Sequence, residues 1–425
     1  MNNKILELVK SSEVINRQKG DYVLSSGVNW DVDDVAAIIE VALSGNWAAG
    51  KITHEFERHL ATFLKQRHVV MCNSGSSANL LALSALTSKR LGSRALKKGD
   101  EVITVSAGFP TTINPIIQNG LVPVFVDISL PSYNALPHAI EEAITDKTKA
   151  IMIAHTLGNP YKAQEVRDIA DRSGLWVVGD CCDALGSEYE DKPLPYFSDI
   201  STYSFYPAHH ISTVEGGAVS TNNPMLDKIV KSFMSWGKDC WCPPGKDNTC
   251  GKRYDYQLGD LPHGFDHKYI FSEVGYNLKA TDLQAAVGVS QIKKISEIID
   301  ARRRTWEFYR EHFNELEKYF ILPEPTYKSN PSWFGFMLSV RDDAPFSRSD
   351  LVPFLEENRI GSRMLFAGNA VKHPAYQDIE HIVSGTLHKS DFVMNNGFWI
   401  GVSPVVTNKM REYVMSKFLD FCKEF

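Results

Sequence analysis

Ala150-Ile-Met-Ile-Ala154, then Ala163-Gln-Glu-Val-Arg-Asp-Ile-Ala-Asp-Arg-Ser173, then Trp176-Val-Val-Gly-Asp180 place a helix-like stretch between two short apolar runs. Runs of this length rich in β-branched residues read as buried strands, and strands that alternate with helices pair in parallel. Working outward, Val69-Val-Met71, Glu101-Val-Ile-Thr-Val105 and Val122-Pro-Val-Phe-Val126 continue the series, with a helix-like stretch over 78–86. The expected class is α/β: a mostly parallel sheet with helices on both faces.

The chain has 425 residues, 43% of them hydrophobic, which is material for one large domain and a smaller one. A charged amphipathic segment over 291–319 reads as a helix leaving the large domain. The expected division is 1–295, including an N-terminal segment, and 296–425, a smaller α/β domain. The least regular stretch is an insert over 236–271, where cysteines cluster. A formal charge of −6 argues against a broad nucleic-acid footprint. Residues 1–10 are mixed and polar with no apolar core of a signal peptide, and no run approaches the roughly 18 apolar residues of a membrane span. A cytoplasmic protein without membrane contact is expected, in which seven cysteines serve metal or catalytic roles rather than disulfides.

In a sheet of this kind ligands lie beyond the carboxyl ends of the strands. Asn73-Ser74-Gly75-Ser76-Ser77-Ala78-Asn79 is a small-residue turn whose N–H groups and hydroxyls suit a phosphate, although ordinary helix capping accounts for it too. Phe109 follows the next strand, where it either stacks on a planar ring or belongs to the core. Asp180 ends its strand as a carboxylate able to pair with a pyridinium nitrogen, or as a simple turn residue.

Ser204-Phe-Tyr-Pro-Ala-His209-His210, followed by Gly216-Gly217, completes the order: small-residue turn, aromatic, strand-terminal Asp, then a serine with a basic residue five positions on. Together with Gly50-Lys-Ile-Thr-His-Glu55-Phe56-Glu57 and Gly275-Tyr-Asn277-Leu-Lys-Ala-Thr-Asp282-Leu-Gln284, the chain resembles the DegT/DnrJ/EryC1/StrS sugar aminotransferases over nearly its whole length. That resemblance implies a fold-type I architecture of the enzymes that use pyridoxal phosphate (PLP). It implies that Ser76, Ser77 and Ser204 bind the cofactor phosphate, Phe109 stacks on the pyridine, Asp180 pairs with its nitrogen, and Asn277 reaches in from the second subunit of a homodimer. Asp183 falls where those enzymes usually have Gln or His. Their cofactor lysine maps to His209 rather than His210. An imidazole moves protons but cannot hold an aldehyde, so the implied cofactor is pyridoxamine phosphate (PMP), bound without a covalent link.

Cys240-Trp-Cys242 and Cys250 put three thiols in one insert, and a fourth ligand must come from elsewhere, with Cys181 and Cys182 as candidates. On spacing alone a [2Fe-2S] cluster and zinc are served equally, and thiols that bind nothing are a third case. The resemblance extends to sugar 3-dehydrases of this family that combine PMP with a [2Fe-2S] cluster, and implies Cys182, Cys240, Cys242 and Cys250 as ligands. Cys72 and Cys422 fall outside the pattern.

The activity so implied is C3 dehydration of a nucleotide-linked 4-keto-6-deoxyhexose, with the CDP-linked glucose derivative expected, on the way to 3,6-dideoxyhexoses of the lipopolysaccharide O-antigen kind. PMP condenses with the C4 ketone and His209, with a pKa near neutrality, takes a cofactor proton. The C3 hydroxyl leaves, and an NADH-dependent flavin or iron–sulfur reductase supplies two electrons through the cluster. An iron-free PMP-dependent 3-dehydratase and a non-catalytic sugar-nucleotide-binding homologue are the alternatives. Arg363 is a candidate diphosphate clamp, as is the stretch over 263–269, and His210 a candidate substrate neighbour; a surface arginine paired with an acid fits Arg363 as well.

Overall fold

The computed structural model describes residues 22–242 and 246–425, together with Glu7. The polar segment over 1–10, apart from Glu7, and Pro243-Pro244-Gly245 of the insert lie outside the described residues.

Seven strands of the first half, β1 (His68–Cys72), β2 (Glu101–Val105), β3 (Val122–Val126), β4 (Thr148–Ala154), β5 (Trp176–Asp180), β6 (Ile200–Ser204) and β7 (Gly217–Thr221), form one sheet. The sheet runs β1-β7-β6-β5-β4-β2-β3 and takes an eighth strand at its edge, β11 (Ile382–Val383), parallel to β3. Only β7 is reversed: it pairs antiparallel with both β1 and β6, and the other neighbours are parallel. Its direction follows from the short return through the His209 turn, since a parallel partner would need a long crossover.

Period-two alternation sends successive side chains to opposite faces. Val69, Ile103, Val124, Ile151 and Val177 pack with Phe56 and Leu60 of helix α2 (Lys51–Leu64) and Val166 of α5 (Ala163–Ser173). Val70, Val102, Met152 and Val178 face α3 (Gly75–Leu86) and α6 (Pro224–Met234). Both faces are thus covered, which is why these strands carry almost continuous apolar runs.

The amphipathic segment expected as one helix over 291–319 follows α7 (Asp282–Gln291) and consists of a 3-10 turn (Ile292–Lys294), α8 (Ile295–His312) and a second 3-10 turn (Phe313–Leu316). Trp306 and Tyr309 of α8 join a separate core with Phe336, Leu338, Phe398 and Phe418. That core lies on a four-stranded sheet whose order is Phe320–Ile321, Gly335–Val340, Gly397–Gly401, Ser362–Arg363. Among the described residues the insert holds one 3-10 turn, His267–Tyr269, and is otherwise irregular. No helix of the described residues is long and apolar enough to cross a membrane.

Asp282 ties the two quoted motif segments together. Its Oδ1 accepts from the backbone N–H of Gly50 (2.7 Å) and Thr53 (2.9 Å) and from the Thr53 hydroxyl (2.6 Å), and its Oδ2 from the Ile52 N–H (3.2 Å). The carboxylate therefore satisfies the orphan donors at the start of α2, where the helix dipole also favours negative charge.

Asp282→Ala strips that buried end of its acceptor and should cost about 3 kcal/mol. Unfolding in urea should shift to a lower midpoint, by less in Asp282→Asn, which keeps one acceptor oxygen. An unmoved midpoint in Asp282→Ala would mean that water replaces the carboxylate.

Candidate active site

The carboxyl ends of β5 and β6, the start of α3 and the loop after β2 enclose a cavity of about 1000 Å³. Ser76, Phe109, Asp180, Cys182, Asp183, Ser204, His209 and Arg363 all line it. Residues far apart in the chain are brought together because parallel strands end on one edge, and the connecting loops all open there.

Close backbone approach builds the phosphate-like end. Ser74 caps α3 with its Oγ accepting from the Ser77 N–H at 3.1 Å. A Cβ on Gly75 would stand 2.4 Å from that of Ser204, and one on Gly217 would stand 2.3 Å from the Ser74 carbonyl oxygen. Glycine at both positions lets β6, β7 and the start of α3 converge, leaving Ser76 and Ser204 beside a helix N-terminus suited to an anion. Ser77 stands further round the helix, its Oγ accepting from Ser74 Oγ at 3.0 Å, and is outside the cavity lining.

Asp180 is buried at the other end. Its Oδ2 accepts from Asn79 Nδ2 (2.8 Å) and Thr112 Oγ1 (2.7 Å), and its Oδ1 from the Cys182 N–H (3.0 Å). Thr202 Oγ1 in turn donates to Asn79 Oδ1 at 2.5 Å. Thr112 and Thr202, and the partnership of Asn79 with Asp180, escaped the sequence reading because a polar residue inside a helix or strand carries no local mark of its partner. Phe109 is half exposed at the mouth, edge-on to Phe366 at 5.7 Å between ring centroids. An anion cradle, an exposed aromatic face and a fixed carboxylate fit a phosphorylated pyridine, as does the unpartnered Asn73 Oδ1 on the same wall.

His209 faces the cavity and His210 leaves it. The buried His210 ring sets Nε2 3.1 Å from the Ser332 carbonyl oxygen, which makes it a packing residue in place of the expected substrate neighbour. His209 Nδ1 has no hydrogen-bond partner in the protein and lies 3.5 Å from Asp183 Oδ1. Burial drives both groups toward neutrality. The imidazole falls to about 3, helped by the Arg302 cation and opposed by the Cys182 carbonyl, so His209 does not have the near-neutral pKa expected. The Asp183 carboxyl rises to about 8 through burial and the nearby Asp180 charge, with Arg302 pulling the other way.

Arg302, on α8, is buried, and its guanidinium donates to the carbonyls of His209 (3.1 Å) and Ala208 (3.4 Å), and of Trp333 (3.2 Å) and Phe334 (3.4 Å). It pins the His209 turn against the second sheet. Arg363 reaches the cavity from that side, with Nη1 on the Ser362 carbonyl at 2.7 Å. Asn277 is absent from its own chain's cavity lining, and its Oδ1 accepts from Lys279 Nζ at 2.5 Å.

The cysteines divide. Cys181 turns into the core beside Tyr203, whereas Cys182 opens onto the cavity. Cys240 and Cys242 share a side-chain hydrogen bond, and Cys250 lies near enough to act on Cys240 through its charge. Thr249 Oγ1 donates to Cys242 Sγ at 3.0 Å. The expected four-thiol set is not assembled within one chain: among the described residues no three His, Cys, Asp or Glu side chains stand in a metal-holding arrangement.

The pair Asp183 and His209 sets a pH dependence. A carboxyl raised in the folded state from its usual value near 4 binds its proton more tightly when folded. Its contribution to stability is fully present below about pH 4 and is lost as pH rises toward the folded value of about 8. His209 gives the opposite slope below its ordinary value, common to both proteins in a comparison with Asp183→Asn. Relative to that variant the wild type should lose on the order of a few kcal/mol between pH 4 and 8 in urea unfolding, then run parallel. A constant difference would mean that Asp183 is ionised throughout.

Several comparisons bear on this geometry. A family model described as the DegT/DnrJ/EryC1/StrS aminotransferase family matches residues 29–419. The chain is 51% identical to the lipopolysaccharide biosynthesis protein RfbH of Salmonella typhimurium, covering 91% of this chain and 89% of that one. It is 52% identical to dTDP-4-dehydro-2,6-dideoxy-D-glucose 3-dehydratase of Saccharopolyspora spinosa, covering 93% and 86%. A crystal structure of GDP-4-keto-6-deoxymannose-3-dehydratase with bound GDP-perosamine superposes with a TM-score of 0.84 at 28% identity, over 93% of this chain and 99% of that one. A similar structure of the E. coli enzyme holds hydrated PLP, at a TM-score of 0.83 and 27% identity, over 93% and 98%. The chain belongs to the DegT/DnrJ/EryC1/StrS aminotransferase family and has the fold of its PLP-dependent enzymes.

Proposed function

We propose that this chain removes the C3 hydroxyl of a nucleotide-linked 4-keto-6-deoxyhexose, with PMP held noncovalently and His209 moving the proton. The observation that carries the reading is a neutral imidazole with an unpartnered Nδ1, in a cavity where no lysine is among the described lining residues. The names of relatives support it, since two kinds of sugar 3-dehydratase and a lipopolysaccharide biosynthesis protein are among them. CDP is the nucleotide we assign, and turnover of the CDP-linked against the dTDP-linked sugar tests that assignment.

PMP, when bound, supplies a primary amine for the ketone and a protonated ring that draws electrons. Ser76, Ser204 and the start of α3 would hold its phosphate, Phe109 its ring face, and Asp180 its ring nitrogen. Asn277 of a partner subunit would complete the phosphate site. Burial keeps His209 in the form that accepts a proton, and Arg302 fixes its backbone. Asp183, protonated below about pH 8, faces the same ring without competing as a charged partner. Arg363, on the cavity wall, would clamp the substrate diphosphate.

Loss of the C3 hydroxyl as water leaves an unsaturated sugar, and two electrons with two protons are needed for a 3-deoxy product. No cavity residue supplies them. We therefore assign the electrons to an NADH-dependent flavin or iron–sulfur reductase, and Cys182, Cys240, Cys242 and Cys250 to a [2Fe-2S] carrier. The separation of these thiols within one chain favours the second reading, an iron-free 3-dehydratase, in which PMP would itself give up the two electrons and end as PLP.

His209→Asn should keep PMP bound while exchange of its C4′ hydrogen with solvent slows at least about 100-fold, because only the base is lost. His209→Lys should form a borohydride-trapped link to PLP at position 209. Retained exchange in the first variant, or no link in the second, would remove His209 from its assigned place.

Iron–sulfur absorbance bands in the purified protein should separate the two readings. Cys242→Ser should abolish those bands and reduce 3-deoxy sugar formation with reductase and NADH to background, while C4′ exchange survives. Undiminished product would favour the iron-free reading.

A further inference from the structure

The three thiols of the insert do not group with Cys182 of their own chain among the described residues. Contacts along α3 locate them: its first residues, Gly75 and Ser76, line the cavity, and the chain leaving the insert, 273–278, runs along the helix toward that end. Asn73 N–H donates to the Leu278 carbonyl at the cavity end, Ser84 Oγ meets Tyr276 OH at 3.2 Å, and Ser88 Oγ donates to Glu273 beyond the last turn. Asp239, next to Cys240, pairs with Arg90 and His267 at that far end. Twelve residues of helix at 1.5 Å each put about 18 Å between the two ends. The strand gives a second ruler: the Trp176 indole donates to the Arg94 carbonyl at the start of β5, and Asp180 and Cys182 lie past its other end, about 13 Å on. Metal–thiolate bonds are only about 2.3 Å.

The insert is also held where it is. Trp241, between Cys240 and Cys242, stands edge-on to His267 at 5.5 Å, and Arg253 bridges Asp247 and Asp266. Its outer side nevertheless exposes Trp236, Tyr254, Tyr269, Phe271 and Val274, the last 94% open. At the cavity mouth Phe109 and Tyr206 are exposed as well. One chain thus carries three thiols in the insert and, apart from them, Cys182 in the cavity, with uncovered apolar side chains near each.

We infer that the cluster site is assembled between two copies of this chain, Cys240, Cys242 and Cys250 of one protomer meeting Cys182 in the cavity of the other. A two-fold contact delivers both halves at once, since what one protomer offers its partner is what it receives. The arrangement also sets the cluster against Asp180 and His209 of the opposite chain, at the cavity where the electrons are needed. This rests on the proposed cluster-dependent reading, and the ligand class is an iron–sulfur cluster bound by four thiolates.

Mixed dimers decide it. A Cys182→Ser chain and a Cys240→Ser chain, each with its own affinity tag, are co-expressed and the doubly tagged dimer is isolated; Cys242→Ser replaces Cys240→Ser if that chain assembles poorly. Iron content and the electron paramagnetic resonance signal of the reduced cluster are then measured, with no activity required. Each variant homodimer should lack the cluster, whereas the mixed dimer, with one intact site and one doubly mutated site, should hold about half the iron of the doubly tagged wild type. A mixed dimer without iron beside a loaded wild type would place all four thiols in one chain and overturn the inference. So would a cluster retained by the Cys182→Ser homodimer, or by a wild-type monomer. A wild-type dimer that takes no cluster under reconstitution would instead sink the cluster-dependent reading itself, and this site with it.

Discussion

A buried cation, Arg302, holds the two halves of the molecule in register. A guanidinium taken out of water is costly unless its donors are satisfied, and here they meet four backbone carbonyls, two on the His209 turn and two at the start of the second sheet. Burial lowers its pKa to about 10, so the charge persists at ordinary pH, while ionised Asp183 would raise it again only above about pH 8. That single charge fixes the backbone behind His209, disfavours a second cation on the imidazole, and joins the turn after β6 to Trp333 and Phe334, which lead into the strand Gly335–Val340. The position of the imidazole and its neutrality thus share one cause.

Much of the fold was legible because the sheet is buried on both faces. β5 and α5 stand where the sequence put them, and β4 gains only Thr148 and Lys149 at its start. Asp180 was legible too, since it closes an apolar run, and Phe109 follows one closely, whereas Ser204 ends the strand Ile200-Ser-Thr-Tyr-Ser204, which carries no apolar run. The reversal of β7 was not, because strand direction depends on how the chain returns and not on residue preference. Arg302 was hidden for a related reason: a charged residue in an amphipathic helix reads as solvent-facing, and its carbonyl partners lie on other elements. The pKa values of His209 and Asp183 likewise follow from tertiary burial, which no local pattern records.

Functional residues also fell into two kinds once the distances were known. Gly75, Gly217 and Asp282 bring elements together and touch no reacting atom; their side chains, or the lack of them, set how closely backbones approach. Ser76, Asp180, His209 and Cys182 face open space. Motif segments around Gly50 and Asp282, which help to mark the family, belong to the first kind, since they cap a helix. A motif can identify a family through its architecture and be silent about its chemistry.

The cavity imposes the same demand on whatever basic residue follows Ser204 by five positions. Burial and the Arg302 cation disfavour a positive charge there, so a lysine in that place would also lose its proton and become a neutral amine, while a histidine becomes a neutral imidazole. The environment therefore need not change for the chemistry to change. A neutral amine attacks an aldehyde and is consumed by the bond it forms, whereas a neutral imidazole forms no lasting bond and is free to take a proton from whatever is bound opposite. Under the proposed reading, that exchange turns a group that would tether the cofactor into one that would act on it.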